Sequence, residues 1–344
     1  MGFQCKCAFI QSISERLCGG CELTSEFEGL VVKDQSGFYW VEHADGTIYT
    51  CQLRGRLKEE AQVSDLATIG DRVTVTPLAN EAGIDAYRGI IENVQERHTS
   101  LSRAVRTTGK RGIGQAEREQ VLIANLDQAC FVFSAAQPTP NWKMLDRLLV
   151  TGESAYIENI LIVINKIDLL DRESIEAQLV PYRAMNYEIL YTSAMDGTGI
   201  DDLRAKLKDK ISVLTGPSGV GKTSLLNGLQ PNLGRVTNSI SEYSQEGMHT
   251  TRDSALVKLD FGGYLADTPG IRQMNVWDVE PDELDGYFLD ITNYVQRCKF
   301  RNCTHTNEPG CAVIEAVEKG EVSRRRYENF LDLREELRET YIVY

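Results

Sequence analysis

Three short runs in this chain have the residue types and spacing to do chemistry on a nucleotide. Gly216-Pro217-Ser218-Gly219-Val220-Gly221-Lys222-Thr223 has the Gly-x4-Gly-Lys-Thr form of a phosphate-binding loop. Its glycines let backbone N–H groups close around phosphates, and the following helix adds positive potential from its N-terminus. Lys222 is placed to reach the β and γ phosphates, Thr223 to offer its hydroxyl to Mg²⁺, and Ser224 completes the contacts. The apolar run Ile211 to Leu214 before the loop and the helical pattern after it supply the strand, turn and helix that the motif requires, so a chance glycine-rich turn is a weak alternative.

The second run, Asn165-Lys166-Ile167-Asp168, closes another buried apolar run. A carboxylate at Asp168 can accept from guanine N1–H and the exocyclic amine, which adenine does not present in that arrangement, so GTP is expected over ATP. Thr192-Ser193-Ala194 ends the next strand, where a base-contacting loop belongs. The third run, Asp267-Thr268-Pro269-Gly270, ends a strand after a Phe261-Gly262-Gly263 hairpin turn. Asp267 is expected to hold Mg²⁺ through water and the Gly270 N–H to meet the γ-phosphate. The usual order places the phosphate loop first and Asn-Lys-x-Asp last; here the tetrad comes first, the order of a circularly permuted guanine-nucleotide domain.

Hydrolysis needs a group to orient water. Ile271 occupies the place where many GTPases have glutamine, and an aliphatic side chain cannot hydrogen-bond water. His249, in Gly247-Met248-His249-Thr250-Thr251, is the candidate catalytic residue, beside two threonines either of which could reach Mg²⁺. A surface histidine in a loop is the competing reading. Cys298-x4-Cys303-x-His305-x5-Cys311 offers four soft ligands, the number and type for a closed, structural zinc site. Cys5, Cys7, Cys18 and Cys21 form a second group that could bind metal or belong to a disordered extension over residues 1–24; disorder is the expectation.

The elements that must position these groups follow from pattern. The chain has 344 residues and 42% hydrophobic content, enough for two or three domains with real cores. Over 25–100, short alternating runs such as Leu30-Val31-Val32 and Val73-Thr74-Val75, with Asp45-Gly46 as a hairpin turn, read as an all-β barrel of the OB type, an SH3-like barrel being hard to separate. A linker follows over 101–120. From 121 to 280, buried runs alternate with helical stretches, the signature of an α/β parallel sheet covered by helices. Residues 281–344 read as mainly helical around the Cys/His cluster.

Net charge is −13, which argues against a uniformly basic coat and leaves any RNA contact to local patches. Arg97, Arg103, Arg106, Lys110 and Arg111 form such a patch, with a solvated linker as its bland reading. No apolar run is long enough to span a bilayer and no export signal is evident, while nine cysteines in a chain of this kind suit reduced thiols and metal ligands. A cytoplasmic monomer is expected.

With these parts in order, the chain resembles the ribosome small-subunit-dependent GTPase A family (RsgA, also called YjeQ) from about Phe27 to Tyr344. Besides the runs above, the agreement includes Gly70-Asp71-x-Val73, Arg97-x3-Leu101-x-Arg103, Ala124-Asn125-x-Asp127-Gln128 and Leu145-x-Arg147. The resemblance implies an N-terminal OB domain, a central permuted GTPase and a C-terminal zinc domain, with Mg²⁺ and GTP or GDP in the centre. It further implies late maturation of the small ribosomal subunit, subunit-stimulated hydrolysis involving His249, and barrel and zinc domains that clasp rRNA. Met248 departs from the arginine common in the family, and residues 1–24 match nothing in it. A rival reading makes the GTPase a nucleotide sensor that recruits a different RNA or protein; a metabolic P-loop kinase is more distant.

Overall fold

The computed structural model describes residues 25–55, 67–78, 87–105, 118–170, 172–234, 254–267 and 279–340. The first five strands are β1 (Phe27–Gln35), β2 (Phe38–His43), β3 (Ile48–Leu53), β4 (Arg72–Pro77) and β5 (Arg88–Val94). Period-2 alternation turns Val31, Val41, Cys51, Val73, Val75 and Ile91 inward as one apolar core. Asp45 and Gly46 turn the β2–β3 hairpin, with the Asp45 carboxylate accepting from Thr47 N–H at 2.8 Å. The strands run in the order β1-β2-β3-β5-β4, β4 returns to β1, and β3 pairs with β5 in parallel. That closure is the order of an OB barrel and separates it from the SH3-like alternative.

The segment expected as a linker is built differently at its ends. β6 (Ser100–Val105) and β7 (Arg118–Ala124) pair as an antiparallel ribbon. β7 then leads into the nucleotide-binding sheet: β8 (Gln128–Ser134), β9 (Asn159–Asn165), β10 (Glu188–Tyr191), β11 (Ile211–Thr215), β12 (Ser254–Lys258) and β13 (Tyr264–Asp267). Its order is β10-β9-β8-β11-β13-β12, all parallel except the edge strand β12, which forms a hairpin with β13. β8 is buried along its whole length, as expected of a central strand with helices on both faces. The helices here are α1 (Trp142–Ser154), α2 (Arg172–Ala184), α3 (Ile200–Leu207) and α4 (Lys222–Leu229). Asn141 starts α1 by accepting from the Met144 N–H at 3.0 Å, an N-cap.

The C-terminal part holds α5 (Leu289–Val295), α6 (Ala312–Glu318) and α7 (Arg324–Thr340) around a separate apolar cluster that includes Phe288, Ile291, Val313 and Phe330. It is bolted to α1 by charge. Arg326, 1% exposed, forms an ion pair with Asp146 and reaches Asp290 at 2.9 and 3.0 Å; Asn329 donates to the other Asp146 oxygen at 2.6 Å. At the rim Lys143 meets Asp332 at 2.9 Å and Arg147 pairs with Glu336.

Barrel and nucleotide-binding sheet meet at a second joint. Gly70 has φ +86°, and a Cβ there would lie 2.0 Å from the Ala124 carbonyl oxygen, so no other residue fits. Asn125 donates to the Gly70 carbonyl at 2.9 Å and accepts from His98 N–H at 3.0 Å. The buried Asp71 accepts from Thr68 N–H at 2.8 Å and takes both arms of Arg97 at 2.8 and 2.7 Å.

Candidate nucleotide and metal sites

β8, β9 and β11 end together at one edge of the parallel sheet, where ligands of α/β folds gather. From the end of β11 the chain enters the phosphate loop and then α4, whose first residues are Lys222, Thr223 and Ser224. Val220 is buried, while Ser218, Thr223 and Ser224 are exposed, so the loop is pinned from below and open above. The Lys222 ammonium donates to the Gly216 and Pro217 carbonyls, both at 2.7 Å, across the loop. Gly221 has φ +94°, and a Cβ on it would sit 2.4 Å from the Asn165 amide nitrogen. Glycine there allows the tetrad to touch the loop.

That contact is direct. Buried Asn165 donates from Nδ2 to the Val220 carbonyl at 2.8 Å and accepts from the Thr192 hydroxyl at 3.2 Å. Lys166 takes a left-handed φ of +62°, which lays its side chain along the loop, its Nζ donating to the Gly219 carbonyl at 2.7 Å and to that of Gln137. Asp168 is exposed, in the short 3₁₀ turn Ile167–Leu169, and its carboxylate accepts from the buried Ser193 hydroxyl at 2.6 Å. Met195 and Asp196 N–H groups in turn donate to the Ser193 oxygen at 3.3 and 3.4 Å. The hydroxyl is thereby oriented toward Asp168, giving the otherwise plain Thr192-Ser193-Ala194 run a defined part in positioning that carboxylate.

Asp267 is the last residue of β13, and β13 lies beside β11 in parallel, with Val213 opposite Ala266. The strand end carrying Asp267 therefore falls next to the phosphate loop. His249, Thr250, Thr251, Gly270 and Ile271 lie outside the described residues, as do Arg106, Lys110, Arg111 and the cysteines at 5, 7, 18 and 21. Arg103 belongs to β6. Arg97 spends its planar fork on Asp71, and its side chain is 21% exposed, so it serves the joint between barrel and sheet.

The second site is the Cys/His cluster. Ligand atoms of Cys298, Cys303, His305 and Cys311 all lie within 4.8 Å of one another. Cys298 Sγ is 3.6 Å from His305 Nδ1 and 3.9 Å from Cys311 Sγ, and Cys311 Sγ is 3.5 Å from the same nitrogen. Thiolates bound at about 2.3 Å to a tetrahedral zinc would stand about 3.8 Å apart, so the donor set fits such an ion. The outer nitrogen of His305 faces the Asp285 carboxylate at 3.0 Å, a partner that holds the ring with Nδ1 toward the thiols. Burial pushes the Cys303 thiol up to about 12 and raises that of Cys311. Burial would also raise the Glu308 carboxyl, but hydrogen bonds from Thr304, Thr306 and Asn307 outweigh it and hold that group down to about 2, fastening the turn between ligands.

A cleft of about 330 Å³ lies elsewhere, at the joint between Arg97, the end of α1 and Tyr287. Thr99, Thr151 and Ser154, on its wall, all donate to backbone carbonyls, so these three hydroxyls are already committed.

Sequence reasoning did not find Asp71, Asn125, Asp146 and Arg326 as joint residues. The first two stand inside the short motifs quoted for the family; the buried Asp146–Arg326 pair spans 180 positions and has no local signal.

A phosphate-loop sequence and an Asn-Lys-x-Asp tetrad hydrogen-bonded to each other, with the tetrad earlier in the chain, define a circularly permuted P-loop GTPase. Residues 94–277 match the family described as RsgA GTPase, and residues 28–84 match the RsgA N-terminal domain. The chain belongs to the RsgA GTPase family and is a GTP hydrolase. Among its relatives, the protein named small ribosomal subunit biogenesis GTPase RsgA from Chlorobaculum tepidum is 40% identical over 311 residues, covering 90% of this chain and 98% of that one. Its namesake from Gemmatimonas aurantiaca is 39% identical over 315 residues, covering 92% and 99%. Among solved structures, YjeQ from Thermotoga maritima superposes with a TM-score of 0.71 at 33% identity, covering 91% of this chain and 99% of that one. YloQ, described as a circularly permuted GTPase, gives 0.69 at 30% identity, covering 95% and 100%.

Proposed function

We propose that this GTPase binds the small ribosomal subunit through its rRNA, acts in late maturation of that subunit, and couples subunit-stimulated GTP hydrolysis to its own release. The contact of Asn165 with Val220 carries the reading, because it makes base recognition and phosphate binding one unit, and it sits between a barrel and a Cys/His domain as in relatives named for small-subunit biogenesis. Asp168, oriented by Ser193, selects guanine, while Asn165, Lys166 and the loop from Gly216 to Ser224 hold the nucleotide. Thr223, Asp267 and one of Thr250 and Thr251 would hold Mg²⁺, which would supply charge neutralisation for the phosphates. Gly270 N–H meets the γ-phosphate and His249 orients the attacking water, the place of glutamine being taken by Ile271.

Zinc at Cys298, Cys303, His305 and Cys311 folds the C-terminal domain and leaves no open position for catalysis. The division into an OB domain over 25–100, a linker to 120, a permuted GTPase to 280 and a zinc domain to 344 follows the same reading. Arg103, Arg106, Lys110 and Arg111 contribute phosphate contacts, with Arg97 holding the base of that ribbon. Among the described residues no helix is long and apolar enough to cross a membrane. The protein works in the cytoplasm as a monomer in this reading. The test is GTP turnover with and without purified small subunits at several salt concentrations. Stimulation that saturates with subunit is expected; turnover indifferent to the subunit would overturn the proposal.

A further inference from the structure

β1 is shared between two units. Its inward residues build the barrel core, whereas its outward residues Leu30 and Val32 pack against the apolar cluster of the GTPase sheet, to which Leu256, Tyr264 and Ala266 also belong. Its far end pairs with the sheet edge: Lys33 stands opposite Ala255 and Asp34 opposite Ser254. Ala255 is also opposite Asp267 on the other side. One row across three strands therefore runs from the barrel to the aspartate proposed to hold Mg²⁺. The other end of the same hairpin is gripped by a side chain. Alternation along β2 points Val41 into the barrel and Glu42 out of it, yet Glu42 is only 8% exposed. The β12–β13 hairpin covers it: Glu42 forms an ion pair with Lys258 and accepts from the Tyr264 hydroxyl at 3.1 Å, and Lys258 and Tyr264 are themselves opposite each other in the hairpin.

We infer that the barrel is a handle on the β12–β13 hairpin, with Glu42 as the positioning residue through which a partner bound to the barrel alters hydrolysis at the nucleotide site. Thr251 precedes Ser254 by three residues, a tether of at most about 11 Å, and β13 ends on Asp267. Both chain segments proposed to read the γ-phosphate are thus attached to the hairpin that the barrel holds. A partly buried carboxylate bridging an ammonium and a phenol has one good geometry, so a shift of the barrel must either carry the hairpin with it or break the bridge. Where the bound nucleotide shifts the hairpin, the same bridge carries that shift back to the barrel. The inference rests on the proposed subunit-stimulated hydrolysis for its first test and stands apart from it in its second.

In the full chain, Glu42→Gln and Lys258→Met should leave GTP affinity and basal turnover within about twofold, and lower maximal stimulation by saturating small subunits by at least about fivefold, the lower range of ordinary coupling. The second measurement needs no subunit. Amide hydrogen exchange over residues 30–42 of the unmodified protein should differ between GDP and a slowly hydrolysed GTP analogue, and the difference should vanish in Glu42→Gln. Full stimulation in both folded variants would overturn the handle, and so would exchange over 30–42 that is blind to the nucleotide. If subunits fail to stimulate the unmodified protein, the proposed function fails, while the exchange measurement still decides whether barrel and nucleotide site are coupled.

Discussion

The Asn165 carboxamide and the Val220 carbonyl, 55 positions apart, are hydrogen-bonded at 2.8 Å, and both residues are buried. The bond ties the strand end that carries the Asn-Lys-x-Asp tetrad to the glycine-rich loop, so each run is positioned by the other. Replacing Asn165 with Ala leaves the Val220 and Thr192 groups without this partner at a cost of about 1–3 kcal/mol. GTP and GDP affinity should fall together, with no gain for ATP. Asp168→Asn should instead relax selectivity, costing GTP about 2 kcal/mol or more. Calorimetric titration of the two variants with GTP, GDP and ATP separates the roles; equal GTP and ATP affinity in the unmodified protein would remove the guanine assignment.

The thiol cluster should bind one zinc per chain, and chelation should unfold the C-terminal helices because such binding is coupled to folding. Thiols with raised values, half-buried Cys303 at about 12 and buried Cys311, must lose protons to become ligands, so affinity should weaken as pH falls and binding should release protons. Glu308 acts in the same direction at lower pH. Its carboxyl sits near 2 when folded and at an ordinary 4.5 when not, so its contribution is full above about 4.5 and is lost as pH falls toward 2. Metal analysis and zinc titration between pH 8 and pH 5 check the thiols, and unfolding measured from pH 5 down to pH 2 checks Glu308; two zinc ions per chain would bring in Cys5, Cys7, Cys18 and Cys21.

Arg97 and its basic neighbours should behave differently. Alanine at Arg103, Arg106, Lys110 and Arg111 together should weaken subunit binding and flatten its salt dependence, since phosphate contacts release counterions. Arg97→Ala should lower thermal stability, because it abandons the buried Asp71 carboxylate. Subunit binding measured across salt, alongside melting curves, distinguishes the two; an unchanged salt slope in the fourfold variant would return that stretch to a linker.

Asp146→Ala should leave the Arg326 guanidinium buried beside a single remaining carboxylate, Asp290, and weaken the attachment of the C-terminal domain by about 3–5 kcal/mol. Limited proteolysis should then release that domain faster at unchanged zinc content, whereas Lys143→Ala, at the exposed rim, should have little effect.

His249→Ala should keep GTP affinity nearly intact and reduce subunit-stimulated turnover by about 10²- to 10⁴-fold, the usual worth of a positioned acid or base. Lys222→Ala should damage nucleotide binding as well. Single-turnover hydrolysis on saturating subunits reads the difference, and an unmodified rate for the histidine variant would assign the step to other groups.

The glycine-rich loop, the Asn-Lys-x-Asp tetrad and the convergence of Cys298, Cys303, His305 and Cys311 were legible because each is a local run that depends on spacing along a few residues. The alternation in β1 to β5 and the buried runs of the parallel sheet were legible for the same reason, since strand periodicity is written in neighbouring positions. What the chain alone left open was decided by contacts between distant segments. OB and SH3-like barrels share their strand pattern and differ in pairing, and the parallel β3–β5 pairing chose between them. Arg97 looks like any basic residue in a basic stretch until Asp71 is placed 2.7 Å away. Glu42 reads as an outward, solvated strand position, and Asp146 and Arg326 as polar residues on two helices. Burial depends on what the rest of the chain brings to cover a residue, and hydrophobic periodicity reports only which face is apolar. A charge buried by a partner far along the chain therefore leaves no local mark, and only the tertiary structure shows that these charges hold the three parts of the molecule together.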